Sequence, residues 1–184
     1  MDEKQAIHRL KQGDIHGLKF LVRHFQLKAV RVAYLITRDL GLAEEIVQEC
    51  FVRAYRSIGT FEENRPFEPW FLRNVVNASV KTMQASARQV EMGEDADETL
   101  FAELISRMES VEAQVEYIEI QNRIWEAMQK LSPRQRAVVV QRYFLEMSEK
   151  EMAAESGSAV GTIKWLLNAA RERLRTLLAE RSEE

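Results

Sequence analysis

Residues 148–175 read SEKEMAAESGSAVGTIKWLLNAARERLR, and this stretch decides the fold. Ser148 followed three residues later by Glu151 is a capping box, in which each side chain satisfies the other residue's backbone N–H at a helix start. Met152 and Ala153 then fall on the inward face, and Gly157 supplies the turn. A second helix follows from about Val160. Ile163, Leu166, Leu167 and Ala170 lie at inward spacing, and Thr162, Lys164, Asn168, Arg171 and Arg175 remain for the outer face. Two short helices joined by a tight turn, the second ending in basic residues, form a helix-turn-helix pattern. The outward side chains are types that donate to phosphates and base edges. Helix pairs of this kind also occur in bundles that never touch nucleic acid, so the rest of the chain has to decide.

The 184 residues are 46% hydrophobic and 30% charged, a composition that supports one folded domain or two small ones. No apolar run approaches the ~20 residues that span a bilayer, and the polar start MDEKQAIHRLKQGD lacks a signal-peptide core. The expectation is a cytoplasmic protein without stable membrane insertion. Cys50 is the single cysteine, and with Ile46, Val47, Phe51 and Ala54 at helical spacing it reads as a small core residue. His8, His16 and His24 are spaced by eight, or about 12 Å along a helix, too far apart to share a metal ion. No metal ligand set, phosphate-binding glycine loop or catalytic constellation is present, so neither a cofactor nor an enzyme activity is expected. The net charge of −3 divides unevenly: residues 1–84 carry +3, residues 85–116 carry −7 and residues 117–184 carry +1. That asymmetry points to two folded units joined by an acidic connector.

In chain order, Asp2–Gln12 reads as a short helix closed by Gly13. Asp14 then caps a longer helix whose core stripe is Leu18, Leu21, Val22, Phe25, Ala29, Val32 and Leu35 or Ile36, with Lys19, Arg23, Lys28 and Arg31 on the wetted face. The helix LAEEIVQECFVRAYRSI buries Ile46, Val47, Cys50, Ala54 and Ile58. Its other face carries Glu44, Glu45, Gln48, Glu49, Arg53 and Arg56, either a solvated surface or an acidic docking strip. The loop GTFEENRPFEP leads into WFLRNVVNASVKTMQASAR, with Phe61, Phe67, Trp70 and Phe71 crowded at the entrance. These rings suit a core; beside Arg65, Arg73, Asn74, Asn77 and Lys81 they also suit stacking on an unpaired strand. A connector over 85–116 is expected to be loose around 92–97, with a short helix through 100–108. Helical pattern resumes at about Val111, with Val115, Ile118, Trp125 and Met128 inward. Ser132, Pro133 and Gln135 then start the helix PRQRAVVVQRYFLE. The fold class is all-α.

Three segments together resemble the extracytoplasmic-function sigma factors, the smallest class related to the main sigma factor of bacterial RNA polymerase. LAEEIVQECFVRAYRSIGTF is similar to the core-binding helix, RPFEPWFLRNVVNASV to the promoter-melting segment, and LSPRQRAVVVQRYFLEMSEKEMAAESGSAVGTIKWLLNAARERL to the C-terminal helix-turn-helix. The resemblance implies a sigma-2-like helical bundle over 1–84, an acidic linker over 85–116 and a sigma-4-like four-helix unit over 117–184. It assigns core-polymerase binding to Glu44, Glu45, Gln48 and Glu49. It assigns −10 promoter DNA to Phe61, Asn64, Arg65, Trp70, Arg73, Asn74 and Asn77, and −35 DNA to Thr162, Lys164, Asn168 and Arg171. It also implies an anti-sigma factor as a partner. Leu166 and Ala169 stand where the family usually has basic residues, Trp165 replaces a small polar one and Ser158 an apolar one. Weak binding to isolated −35 DNA follows, because each lost phosphate contact lowers sequence-independent affinity. The competing readings are a helix-turn-helix regulator that binds paired half-sites as a dimer and, with little support, an all-helical enzyme.

Overall fold

In the computed structural model, which describes residues 1–86 and 123–180, every regular element is helical. Helix α1 (Glu3–Lys11) opens with a capping box between Asp2 and Gln5 and ends ahead of Gly13, whose φ is +84°. Asp14 Oδ1 accepts the backbone N–H of His16 at 2.9 Å, steering the chain into α2 (His16–Thr37). Gly17 is buried under α1, where an added Cβ would lie 2.2 Å from the Ala6 carbonyl oxygen. Only glycine permits that approach.

The first half of α2 is amphipathic, as its periodicity indicates, but residues 29–34, Ile36 and Thr37 are all buried. A helix apolar or buried around its whole circumference must be covered on every side, and here the C-terminal helices supply the extra cover. Arg31 is therefore buried rather than on a wetted face, and Lys28, half-buried, pairs with Glu68. Helix α3 (Leu40–Ser57) is capped by Asp39 and turns Ala43, Ile46, Val47, Cys50, Phe51 and Ala54 inward. After a 3-10 turn (Ile58–Thr60) and a loop, α4 (Phe67–Ser86) begins directly after Pro66, with Pro69 in its first turn. The Phe67 N–H donates to Glu3 Oε1 at 2.9 Å, tying the loop exit to α1.

The C-terminal part starts with α5 (residues 123–129). Ser132 and Gln135 form the expected capping box, with Pro133 at the first position of α6 (Pro133–Val139). The sequence reads as helix through Glu146, but the chain widens into a π-turn at Val140–Phe144, with the Leu145 N–H donating to the Val140 carbonyl. Three consecutive β-branched valines, 138–140, crowd the preceding turn and weaken α-helical preference there. The wider turn leaves Tyr143 and Phe144 exposed while Met147 is buried. Helix α7 (Glu149–Ser156) carries the Ser148–Glu151 box and ends at Gly157, φ +62°. Helix α8 (Val160–Glu180) follows. Val138, Met147, Met152, Ala153, Ile163 and Leu167 form the apolar cluster inside this helix-turn-helix. Each large member contributes about 1.5–3 kcal/mol by leaving water.

The two parts touch, which their sequences left open. Trp125 stacks on Tyr34 with ring centroids 4.9 Å apart, and Arg38 donates to Gln129 at 3.1 Å. Arg136, only 3% exposed, donates from Nε to the Ile36 carbonyl at 2.9 Å and from Nη1 to the Leu131 carbonyl at 3.0 Å. Burial, with the nearby Arg38 charge, pushes its guanidinium down to about 10, so it remains a cation at neutral pH. One continuous apolar core results, running from Ala6 through α2 to Trp125, Met128, Ala137 and Ala170. Of the connector expected over 85–116, only residues 85 and 86 fall in the described structure, where they close α4. The loose stretch around 92–97, the short helix through 100–108 and the helical turns with Val115 and Ile118 lie outside the described residues.

Candidate nucleic-acid and polymerase interfaces

Because α3 turns its apolar stripe inward, Glu44, Glu45, Gln48 and Glu49 all emerge on the opposite, exposed face. Glu49 accepts from Arg53 Nη2 at 2.6 Å, an exposed i, i+4 pair worth a few tenths of a kcal/mol. The face presents carboxylates to any basic surface that approaches it. On the inner side, Cys50 is buried and burial pushes its thiol up to about 11, Arg53 lowering and Glu49 raising it less. It is a core residue, as its neighbours indicate.

The loop after α3 and the start of α4 build a second face. Phe67 packs against Phe25, Phe61, Trp70 and Phe71 at centroid distances of 5.4–5.7 Å. Phe61, 6% exposed, also packs on Trp70 at 5.0 Å. Burial of the Phe61 ring makes it part of the wall that fixes Trp70. Its cause is plain: an aromatic at the loop entrance is drawn into the cluster that ends α4's apolar face. Asn64 and Arg65 are exposed, the latter paired with Glu62 at 2.8 Å. Trp70 is half-buried, and its carbonyl accepts from Asn74 Nδ2 at 2.9 Å. Between α3 and α4 lies a cleft lined by Arg53, Ser57, Trp70, Asn74, Asn77 and Lys81, with Cys50 at its floor. It combines one ring edge, amide donors and cations, the set that takes up an unstacked base and its phosphate.

Arg73, also expected at DNA, and Asn77 on the cleft's rim engage the C-terminal part. Arg73 pairs with Glu151 at 3.1 Å and with Glu155 at 3.8 Å, and Asn77 Nδ2 donates to Glu155 Oε2 at 3.2 Å.

The third face is the outer side of α8. Ile163, Leu167 and Ala170 are buried, which leaves Thr162, Lys164, Trp165, Asn168 and Arg171 exposed together. Lys164 lies 4.0 Å from Glu149. Arg171 donates from Nε to the Tyr143 hydroxyl at 2.8 Å and sits 5.9 Å from that ring's centroid. Tyr143 therefore aims Arg171, a role hidden in a segment that reads as an apolar helix. Trp165, 67% exposed, shares the face at i+3 from Thr162 and i−3 from Asn168; helical spacing alone carried that signal. Leu166 is half-buried against the helix-turn-helix core, and Ala169 is half-buried too. Neither stands on the open face. Among the described residues no group of His, Cys, Asp and Glu is placed to hold a metal ion, and no helix is long and apolar enough to cross a membrane.

The Sigma-70 region 2 model matches residues 21–89 and the Sigma-70, region 4 model residues 121–174, together well over half of the chain. The chain is 28% identical over 181 residues to the ECF RNA polymerase sigma factor SigW of Bacillus subtilis, covering 96% of this chain and 97% of that protein. It is 26% identical to the RNA polymerase sigma-H factor of Pseudomonas aeruginosa, covering 92% and 90%. Two solved structures share the fold. CnrH in complex with the cytosolic domain of CnrY gives TM-score 0.61 at 20% identity, covering 97% of each chain. The sigma factor RpoE in complex with the anti-sigma factor NepR from Bartonella quintana gives 0.58 at 23% identity, covering 88% of this chain and 98% of that one. The chain belongs to the sigma-70 family, and within it to the extracytoplasmic-function class. It is an RNA polymerase sigma factor, directing core polymerase to specific promoters and assisting DNA melting; the dimeric regulator reading is not favoured.

Proposed function

We propose that the three faces divide the work of initiation, with residues 1–84 and 117–184 acting as the two DNA-contacting units and 85–116 as the acidic link between them. Glu44, Glu45, Gln48 and Glu49 dock on a basic surface of core polymerase. Thr162, Lys164, Trp165, Asn168 and Arg171 enter the major groove of the −35 element, the cations on phosphates and the amide, hydroxyl and ring on base edges. Asn64, Arg65, Trp70, Arg73, Asn74 and Asn77 take the −10 element, with Phe61 supporting Trp70 from inside.

Melting then needs no catalytic group in the chain. Unstacking a base step costs a few kcal/mol, while one base stacked on an aromatic ring returns about 1–3 kcal/mol. A single ring therefore does not open DNA alone; the polar and cationic contacts around the α3–α4 cleft supply the remainder. The observation that carries this reading is that cleft, which gathers Trp70, Asn74, Asn77 and Lys81 at one opening. The protein works in the cytoplasm beside polymerase and is held inactive by an anti-sigma factor, the kind of partner named for the Bartonella quintana relative.

Transcription in vitro with core polymerase across a genomic fragment library tests the proposal. Discrete start sites that core alone does not use are expected, and Glu45→Lys with Glu49→Lys is expected to weaken the complex with core. Absence of new start sites, or an unchanged affinity for core, would overturn the assignment.

A further inference from the structure

The contact between α4 and α7 is more regular than chance packing requires. Arg73 and Asn77 are four residues apart on α4, and Glu151 and Glu155 are four apart on α7, so each pair lies on one helix face with its members about 5–6 Å apart. The two pairs meet in register. Arg73 reaches both carboxylates, and Asn77 donates to the second. Glu151 is held for this contact from behind. Its Oε2 accepts from the Ser148 backbone N–H and hydroxyl, both at 2.8 Å, which leaves Oε1 turned to Arg73. Those hydrogen bonds from Ser148, and secondarily Arg73, hold its carboxyl below the usual range, so it is an anion at neutral pH. A cation and an amide donor facing two anions at this spacing is the same chemistry by which a protein grips a nucleic-acid backbone. Behind the strip, the buried Arg136 and the Tyr34–Trp125 stack fix the two parts together.

We propose that the Glu151–Glu155 strip is an intramolecular substitute for DNA phosphates: in the free protein it occupies Arg73 and Asn77, so that the −10 strand and the helix-turn-helix compete for one face of α4. This rests on the reading of α4 as a DNA-binding helix. The free chain is self-masked, and drawing the C-terminal unit away from α4 uncovers the −10 face. The outer face of α8 is exposed already, so the movement changes access to the −10 face alone.

The test uses the full-length chain without polymerase and a fluorescein-labelled pool of random single-stranded 20-mers, followed by anisotropy. Glu151→Gln with Glu155→Gln keeps the capping box, because Gln also serves at that position, but removes the anions facing Arg73. Glu146→Gln with Glu172→Gln changes the net charge equally and touches neither Arg73 nor Asn77. The strip variant is expected to bind about tenfold tighter than this control, and the control to bind nearly as the parent does. Equal binding by the two variants would overturn the masking while leaving the sigma-factor reading intact, provided the parent transcribes with core polymerase. Failure of the parent to transcribe, with no binding by any form, would overturn both.

Discussion

Replacing Arg136 by Met should separate the two parts of the molecule more cleanly than any other single change. The guanidinium is buried and spans two carbonyls, Ile36 in the last turn of α2 and Leu131 in the turn between α5 and α6. The last-turn carbonyls of a helix have no partner within it and favour a cation. Methionine fills much of the volume but donates nothing. Each buried acceptor left without a donor costs about 1–3 kcal/mol, so the two carbonyls together lose about 2–6 kcal/mol. Removing a buried charge recovers part of this, and a net loss of about 2–4 kcal/mol remains. With a slope of about 2 kcal/mol per M, the urea midpoint falls by about 1–2 M. Tryptophan emission is a suitable probe because Trp125 sits on Tyr34 at the same junction. Arg136→Lys keeps the cation but cannot fork to two acceptors, and should lie between parent and Met variant. An unchanged midpoint in Arg136→Met would refute the view that this residue joins the two parts.

Trp70→Ala should slow promoter opening, read as permanganate reactivity of unpaired thymines, by the ~1–3 kcal/mol of one stacked base, while binding to duplex −35 DNA is unaffected; Trp70→Phe should restore most of the opening. Gly17→Ala places a methyl against the Ala6 carbonyl and should cost about 1–3 kcal/mol or more in thermal unfolding; a stability equal to the parent's would show that α1 can shift freely. Cys50 should resist a thiol reagent at pH 8 in the folded protein and react only as it unfolds. Its raised value means that burial favours the neutral thiol, so its contribution to stability is fully present below about pH 9 and is lost as pH rises toward 11. Rapid labelling of native protein at pH 8 would contradict its placement in the core.

Local signals in the sequence carried most of the fold. The capping boxes at Ser132 and Ser148, the left-handed Gly157 and the inward stripe Ile163, Leu167, Ala170 are all short-range features, and each forms where its residues indicate. Periodicity puts Arg31 on a wetted face because it sees one helix at a time, whereas its burial comes from helices joined to α2 only in space. The contact of Arg136 with Ile36, a hundred residues away, is illegible for the same reason. Periodicity also could not show the π-turn at Val140–Phe144, which follows from crowding at three valines and sets Tyr143 beside Arg171. At the site, composition and spacing marked the exposed faces of α3 and α8 correctly as outward. They could not tell Phe61, which closes the aromatic cluster, from Trp70, which borders the cleft, since both are rings beside the same basic residues.

Footprinting of the polymerase complex on a promoter recovered from the genomic library tests the division of labour most directly. Lys164→Ala with Asn168→Ala should remove protection around −35 and leave thymine reactivity around −10 once the complex is driven on at high concentration, while Trp70→Ala should do the reverse. Loss of both signals together in each variant would contradict two separate DNA faces on this chain.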